Sequence, residues 1–194
     1  MIGNLQLEIM RTAAKEGRDP TAADETVMAL IAWAKEHGAE RILEIGAGEG
    51  LTSIALLLET AAQITAIELD PVRAKKFREN TALFSMEARV RLIEGNAGDI
   101  LPNLEGGYDL IFLDGPKVQY KRYFADCKRL LKKGGALFSD DILLFGWVRG
   151  EAPKKRRMLV EHIREYLKLL ENDSDFITTI YEYGEGLAVS EKLR

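Results

Sequence analysis

The sequence predicts an α/β fold, in which a parallel sheet is covered by helices on both faces and closed by an antiparallel hairpin. Three observations predict it. Apolar, β-branched runs of strand length recur at 41–46, 64–69, 90–95, 108–114 and 135–140. Each is followed by a segment of helical periodicity, and near-continuous apolar strands alternating with helices belong to sheets buried on both faces. Two last strand-like runs, 176–183 and 186–192, are separated only by a short Gly-Glu-Gly turn and read as a hairpin. The sum is a seven-stranded sheet of five parallel strands plus a C-terminal antiparallel hairpin.

The remaining elements follow from periodicity and caps. In residues 26–38, Val27, Leu30, Ile31 and Ala34 share one helical face and Gly38 suits the C-terminal cap. A long helix is expected from about Lys154 to Glu171, with Pro153 suited to its start and Leu159, Ile163, Tyr166, Leu167 and Leu170 as its apolar stripe. No repeat or linker interrupts the pattern. At 194 residues a single domain, 1–194, is expected, with 1–25 as an N-terminal helical segment. No apolar run is long enough to span a membrane and none reads as a secretory signal. With one cysteine, Cys127, no internal disulfide can form, and a cytoplasmic location is expected. A net charge of −4 gives no global attraction to nucleic acid and says nothing of a local basic patch.

After the first strand, residues 43–54 read LEIGAGEGLTSI. Glycines in a strand-to-helix turn let backbone N–H groups approach a ligand. A dinucleotide-binding turn needs Gly or Ala at a third position that here is Leu51. The pattern of Glu44 followed by Gly46, Gly48 and Gly50 instead resembles the first motif of class I methyltransferases that use S-adenosylmethionine. That resemblance implies that Glu44 orients the methionine end of the cofactor. Glu68, at the end of the second strand, can accept hydrogen bonds from ribose hydroxyls. Asn96 and Ala97, after the third, stand where the family meets the adenine edge. Taken alone, the glycines fit a turn with no ligand and Glu68 fits a solvated strand end.

The fourth strand ends in Asp114, followed by Lys117 and Tyr120; the fifth ends in Asp140 and Asp141. Ligands of doubly wound sheets bind at the carboxyl ends of the strands. Three carboxylates converging there repel one another unless a cation joins them, and an all-oxygen donor set selects Mg²⁺ or Mn²⁺. The D-x-x-K-x-x-Y run with the acids after the fifth strand resembles the metal-dependent O-methyltransferases of the catechol and caffeoyl-CoA type. The resemblance covers roughly residues 20–194 and includes the ending YGEGLAVSEK. Asp141 departs from it, because the family has Asn there, as does Thr26, where relatives often have Gly.

The resemblance implies an acceptor with two adjacent oxygens chelating a metal on Asp114, Asp140 and Asp141. Lys117, whose pKa a neighbouring cation would lower, would take the acceptor proton or hold the anion. It also implies a homodimer, with the N-terminal helix as a contact. Arg149, Lys154, Lys155, Arg156 and Arg157 form a basic stretch next to this site. The P-K-K-R-R helix is similar to the bacterial branch that methylates 5-hydroxyuridine at the tRNA wobble position, which implies a tRNA anticodon loop as partner. A small catechol-like substrate is the alternative, and a cofactor-binding relative without chemistry is the third reading.

Overall fold

The computed structural model describes residues 4–17 and 21–193. The N-terminal segment holds α1 (Leu5–Glu16), and the remainder of the 1–25 stretch leads into α2 (Asp24–Glu36), with 1–3 and 18–20 outside the described residues. Then follow β1 (Arg41–Ile45), α3 (Leu51–Glu59), β2 (Gln63–Glu68), α4 (Pro71–Leu83), β3 (Val90–Glu94), α5 (Ala97–Ile100), β4 (Tyr108–Leu113), α6 (Tyr120–Leu130) and β5 (Leu131–Ser139). The chain ends with α7 (Arg157–Asn172), β6 (Phe176–Tyr181) and β7 (Leu187–Lys192).

The seven strands form one sheet in the order β3-β2-β1-β4-β5-β7-β6. The first five pair in parallel, and β7 runs antiparallel to both β5 and β6. Alternate residues of each central strand face opposite layers. Ile42, Leu110, Phe112 and Phe138 pack with Leu7, Leu30, Ile54 and Phe77 of α1 to α4. Leu43, Ile45, Ile111 and Leu113 pack with Tyr120, Phe124, Val160 and Tyr166 of α6 and α7. The strand order reverses between β1 and β4, so a crevice opens at their carboxyl ends, where an open α/β sheet places its ligand.

Two boundaries differ most from the sequence expectation. β5 begins at Leu131 rather than 135, because Leu131 pairs with Tyr108 and the register then shifts before Leu110. Gly134, at φ +77°, lets the strand absorb that shift. The basic helix begins later than expected: Lys154–Arg156 form a 3-10 turn, and α7 proper starts at Arg157. Pro153 precedes that turn in an extended conformation, with ψ 143°, which sets the chain direction without starting an α-helix.

Candidate active site

The glycine turn is built by backbone that side chains do not tolerate. Gly46, Gly48 and Gly50 hold φ +88°, +54° and +83°. The turn is pinned to the neighbouring strand, since Gly46 and Ala47 both donate to the Ile67 carbonyl. A Cβ on Gly46 would lie 2.5 Å from the Asp114 carbonyl oxygen, so this glycine lets the ends of β1 and β4 press together.

The acids are arranged along the crevice. Glu44 is buried at 2% exposure on β1 and accepts a hydrogen bond from Ser53 of α3. Burial pushes its carboxyl up to about 8; the Ser53 bond opposes this, and the charges of Asp114 and Glu68 add to it. Glu68 turns inward from β2. Its Oε2 accepts from Gly48 N at 2.7 Å and its Oε1 from Asp70 N at 2.8 Å, so the carboxylate braces both the glycine turn and the cap of α4. Asn96 caps α5, its Oδ1 accepting from Gly98 N at 2.8 Å.

Two cavities occupy the crevice. One of about 500 Å³ is lined by Glu68, Asn96, Ala97 and Tyr123. The other, of about 190 Å³, is lined by Glu44, Gly48, Thr52, Lys117 and Asp141. Both share Gly46, Arg73, Asp114 and Gly115, so they are two halves of one groove. Arg73, absent from the sequence reading, lies over the turn at the seam: a Cβ on Gly48 would come within 2.7 Å of its guanidinium. A cation on the first turn of a helix looks like a solvated residue in the sequence.

At the smaller cavity Lys117 stands between two acids, its Nζ 2.8 Å from Asp114 Oδ1 and 3.1 Å from Asp141 Oδ2. Burial works against its charge, but Tyr120, Asp114 and Asp141 outweigh it and hold the pKa well above the ordinary lysine value. The lowered value expected beside a metal ion is therefore reversed among the protein groups alone. Tyr120 lies under the cluster, its hydroxyl donating to the Leu113 carbonyl at 2.8 Å. Asp140 is buried and accepts from Thr26 Oγ1 at 3.2 Å. Burial, with the charges of Asp114 and Asp141, pushes its carboxyl up to about 7.

Asp114, Asp140 and Asp141 bring three carboxyl groups to this end of the crevice, and oxygen donors of this kind suit a hard divalent ion. They fit such an ion in chemistry. They do not surround a common point: among the described residues no group of three His, Cys, Asp or Glu side chains is set to hold a metal. An ion there would have to displace Lys117 from Asp114 or Asp141.

In the chain, the basic stretch follows the loop that leaves β5. Lys154, Lys155, Arg156 and Arg157 are all exposed. Arg149 is exposed too, but pairs with Glu182. Cys127 is buried in α6, where burial pushes its thiol up to about 12, so it is packed and unreactive. Among the described residues no helix is long and apolar enough to cross a membrane.

A family model described as O-methyltransferase matches residues 7–193. The chain belongs to the O-methyltransferase family. A provisionally named O-methyltransferase of Mycobacterium tuberculosis is 27% identical over 193 residues, which cover 95% of this chain and 85% of that one. A Staphylococcus aureus structure, provisionally named a caffeoyl-CoA O-methyltransferase, superposes with a TM-score of 0.90 at 28% identity, covering 97% of this chain and 93% of its own. The O-methyltransferase TomG of Streptomyces achromogenes, from tomaymycin synthesis and in complex with S-adenosylmethionine, superposes at 0.87 with 24% identity, covering 98% and 91%. Family and sheet topology agree that this enzyme has the class I methyltransferase fold.

The raised Glu44 pKa has a consequence for the cofactor-free enzyme. Between the ordinary value of 4.5 and about 8, the folded chain keeps a proton on Glu44 that the unfolded chain has released. The unfolded state then binds fewer protons, so stability falls as pH rises through this window. Glu44→Gln carries no such proton. Its melting temperature, followed by scanning calorimetry from about pH 5 to about pH 8, should fall less steeply than that of the wild type. Parallel curves would show that Glu44 is ionised in the folded chain.

Proposed function

We propose that this enzyme transfers the methyl group of S-adenosylmethionine to an oxygen of an acceptor bearing two adjacent oxygens, with a divalent ion, and that the acceptor is 5-hydroxyuridine at the wobble position of a tRNA. The observation that carries the methyl-transfer reading is the continuous groove at the strand ends, with Glu68 and Asn96 in its larger half and Glu44 in its smaller half beside the Lys117 cluster. Glu68 would accept from the ribose hydroxyls and Asn96 from the adenine amino group; Glu44, once ionised, would hold the methionine ammonium. Gly46, Gly48 and Gly50 keep side chains out of the way.

A divalent ion, which Asp114, Asp140 and Asp141 would hold, supplies positive charge that favours the deprotonated acceptor oxygen at neutral pH. Lys117 contributes through position. It would take the acceptor proton or hold the acceptor anion. The Tyr120 ring, its centroid 5.4 Å from the Lys117 Nζ, helps fix where that side chain points. Most of the rate enhancement then comes from orientation and a preset charge.

The tRNA assignment rests on the basic turn. Lys154, Lys155, Arg156 and Arg157 lie exposed in sequence at the start of α7, with no ion pair among the described residues. Such a cluster suits a polyanion, and an unpaired anticodon base can be splayed into a pocket without melting a duplex. Its 5-hydroxyl and neighbouring carbonyl form a catechol-like pair. The net charge of −4 favours the second reading, a small catechol. On the tRNA reading, affinity falls with salt at a log–log slope of about −0.7 per phosphate neutralised in single-stranded RNA. Replacing Lys155, Arg156 and Arg157 by Ala should flatten that slope by about 2 units while sparing methylation of free catechol. Equal tRNA binding by wild type and triple variant would remove the support for RNA. Mass spectrometry of tRNA nucleosides from cells lacking the gene tests the acceptor directly.

A further inference from the structure

Between the acids that end β5 and the basic turn runs a loop, residues 140–150, whose backbone is strained. Among the described residues, four non-glycine residues hold positive φ, and three are here: Asp141 at 55°, Leu144 at 47° and Phe145 at 58°. Asp tolerates this region; Leu and Phe do so only where the surroundings impose it.

The surroundings here are explicit. From the β6–β7 turn, the Gly186 carbonyl accepts from Ile142 N, and the Glu185 carbonyl from Leu143 N and Leu144 N, at 2.8–3.2 Å. The Glu185 side chain accepts from Phe145 N. From α7, Arg164 donates to three successive parts of the loop: Nε to the Val148 carbonyl at 3.0 Å, and Nη2 to the Trp147 carbonyl at 3.3 Å and the Gly150 carbonyl at 2.9 Å. The loop held in this way presents Phe145, 67% exposed, with its ring centroid 5.0 Å from that of Trp147. It is an aromatic pair on the segment that joins Asp140 and Asp141 to the unpaired cations.

We propose that Arg164 is a positioning residue for the methyl acceptor, fixing the 140–150 loop so that Phe145 and Trp147 offer a preset face to a planar ring. The inference rests on the methyl-transfer reading above. α7 does not need Arg164 to pack: Val160, Ile163, Tyr166, Leu167 and Leu170 bury its apolar face, whereas the Arg164 side chain stays 38% exposed and spends its short hydrogen bonds on loop carbonyls. A planar guanidinium reaches all three carbonyls from one position; a lysine ammonium has no such fork.

The test uses the full chain as wild type, Arg164→Lys and Arg164→Ala. Four quantities are read: the melting temperature, S-adenosylhomocysteine affinity, the native-state rate of trypsin cleavage after Arg149, and kcat and KM for methyl transfer to catechol and to bulk tRNA. Losing charge-assisted bonds to three carbonyls should speed cleavage after Arg149 and raise the acceptor KM, each by about tenfold in Arg164→Ala and less in Arg164→Lys. kcat should change less, and cofactor affinity and melting temperature should stay near the wild-type values. Wild-type cleavage rates and KM in Arg164→Ala would overturn the proposal. So would a parallel loss of melting temperature and cofactor affinity, which marks a merely structural residue. A wild type that binds no S-adenosylhomocysteine and methylates neither probe would instead defeat the methyl-transfer reading itself.

Discussion

Gly46→Ala should destabilise the fold by about 3–5 kcal/mol, the sum of a strained left-handed residue and an overpacked contact. The added Cβ would meet the Asp114 carbonyl oxygen at 2.5 Å, its carbon at 2.8 Å and Gly115 Cα at 2.9 Å. All three are backbone atoms fixed by strand pairing, because Asp114 N donates to the Ile45 carbonyl at 2.9 Å. They cannot turn aside as a side chain does. Gly38 is the control. It also holds positive φ, +58°, but nothing lies within 4 Å of its Cβ position. Gly38→Ala should therefore cost only the strain, about 1 kcal/mol. Denaturant melts of the two variants separate the terms, and equal losses would show that the close approach of β1 and β4 at Gly46 is not what demands glycine.

Lys117→Ala should lower turnover by about 10²–10⁴-fold, the range for removing a positioned acid–base group. Affinity for S-adenosylhomocysteine should change little, because the proposed role lies in the transfer step. The variant leaves Asp114 and Asp141 without the ammonium they share at 2.8 and 3.1 Å. The wild-type enzyme should lose activity in a chelator and regain it with Mg²⁺ or Mn²⁺. Turnover unchanged by the substitution would take Lys117 out of the chemistry, and full activity in a chelator would take the metal out.

Much of the fold could be read from the residues because parallel strands buried on both faces leave uninterrupted apolar runs. The run 108–114 became β4, and 64–69 became β2 with Glu68 at its end. The start of β5 was not legible: Lys132, Lys133, Gly134 and Gly135 look like a turn, and only the pairing of Leu131 with Tyr108 makes them strand. The acids of the crevice were legible from their places at strand ends. Their partners were not, since those arrive from elsewhere in the chain. Ser53 reaches Glu44 from the next helix, Thr26 reaches Asp140 across 114 positions, and Asp141 meets Lys117 from the neighbouring strand end. Arg164 makes the same point, because its targets are backbone carbonyls, which no sequence pattern marks.

The most direct measurement is calorimetric titration of the wild type and Glu68→Ala with S-adenosylhomocysteine, with NAD as competitor. Glu68 lines the larger half of the groove and hydrogen-bonds the glycine turn through Gly48 N. A methyltransferase groove predicts saturable binding of S-adenosylhomocysteine, a loss of about 1–3 kcal/mol in the variant, and no displacement by NAD. Preference for NAD, or binding that Glu68→Ala leaves untouched, would contradict it.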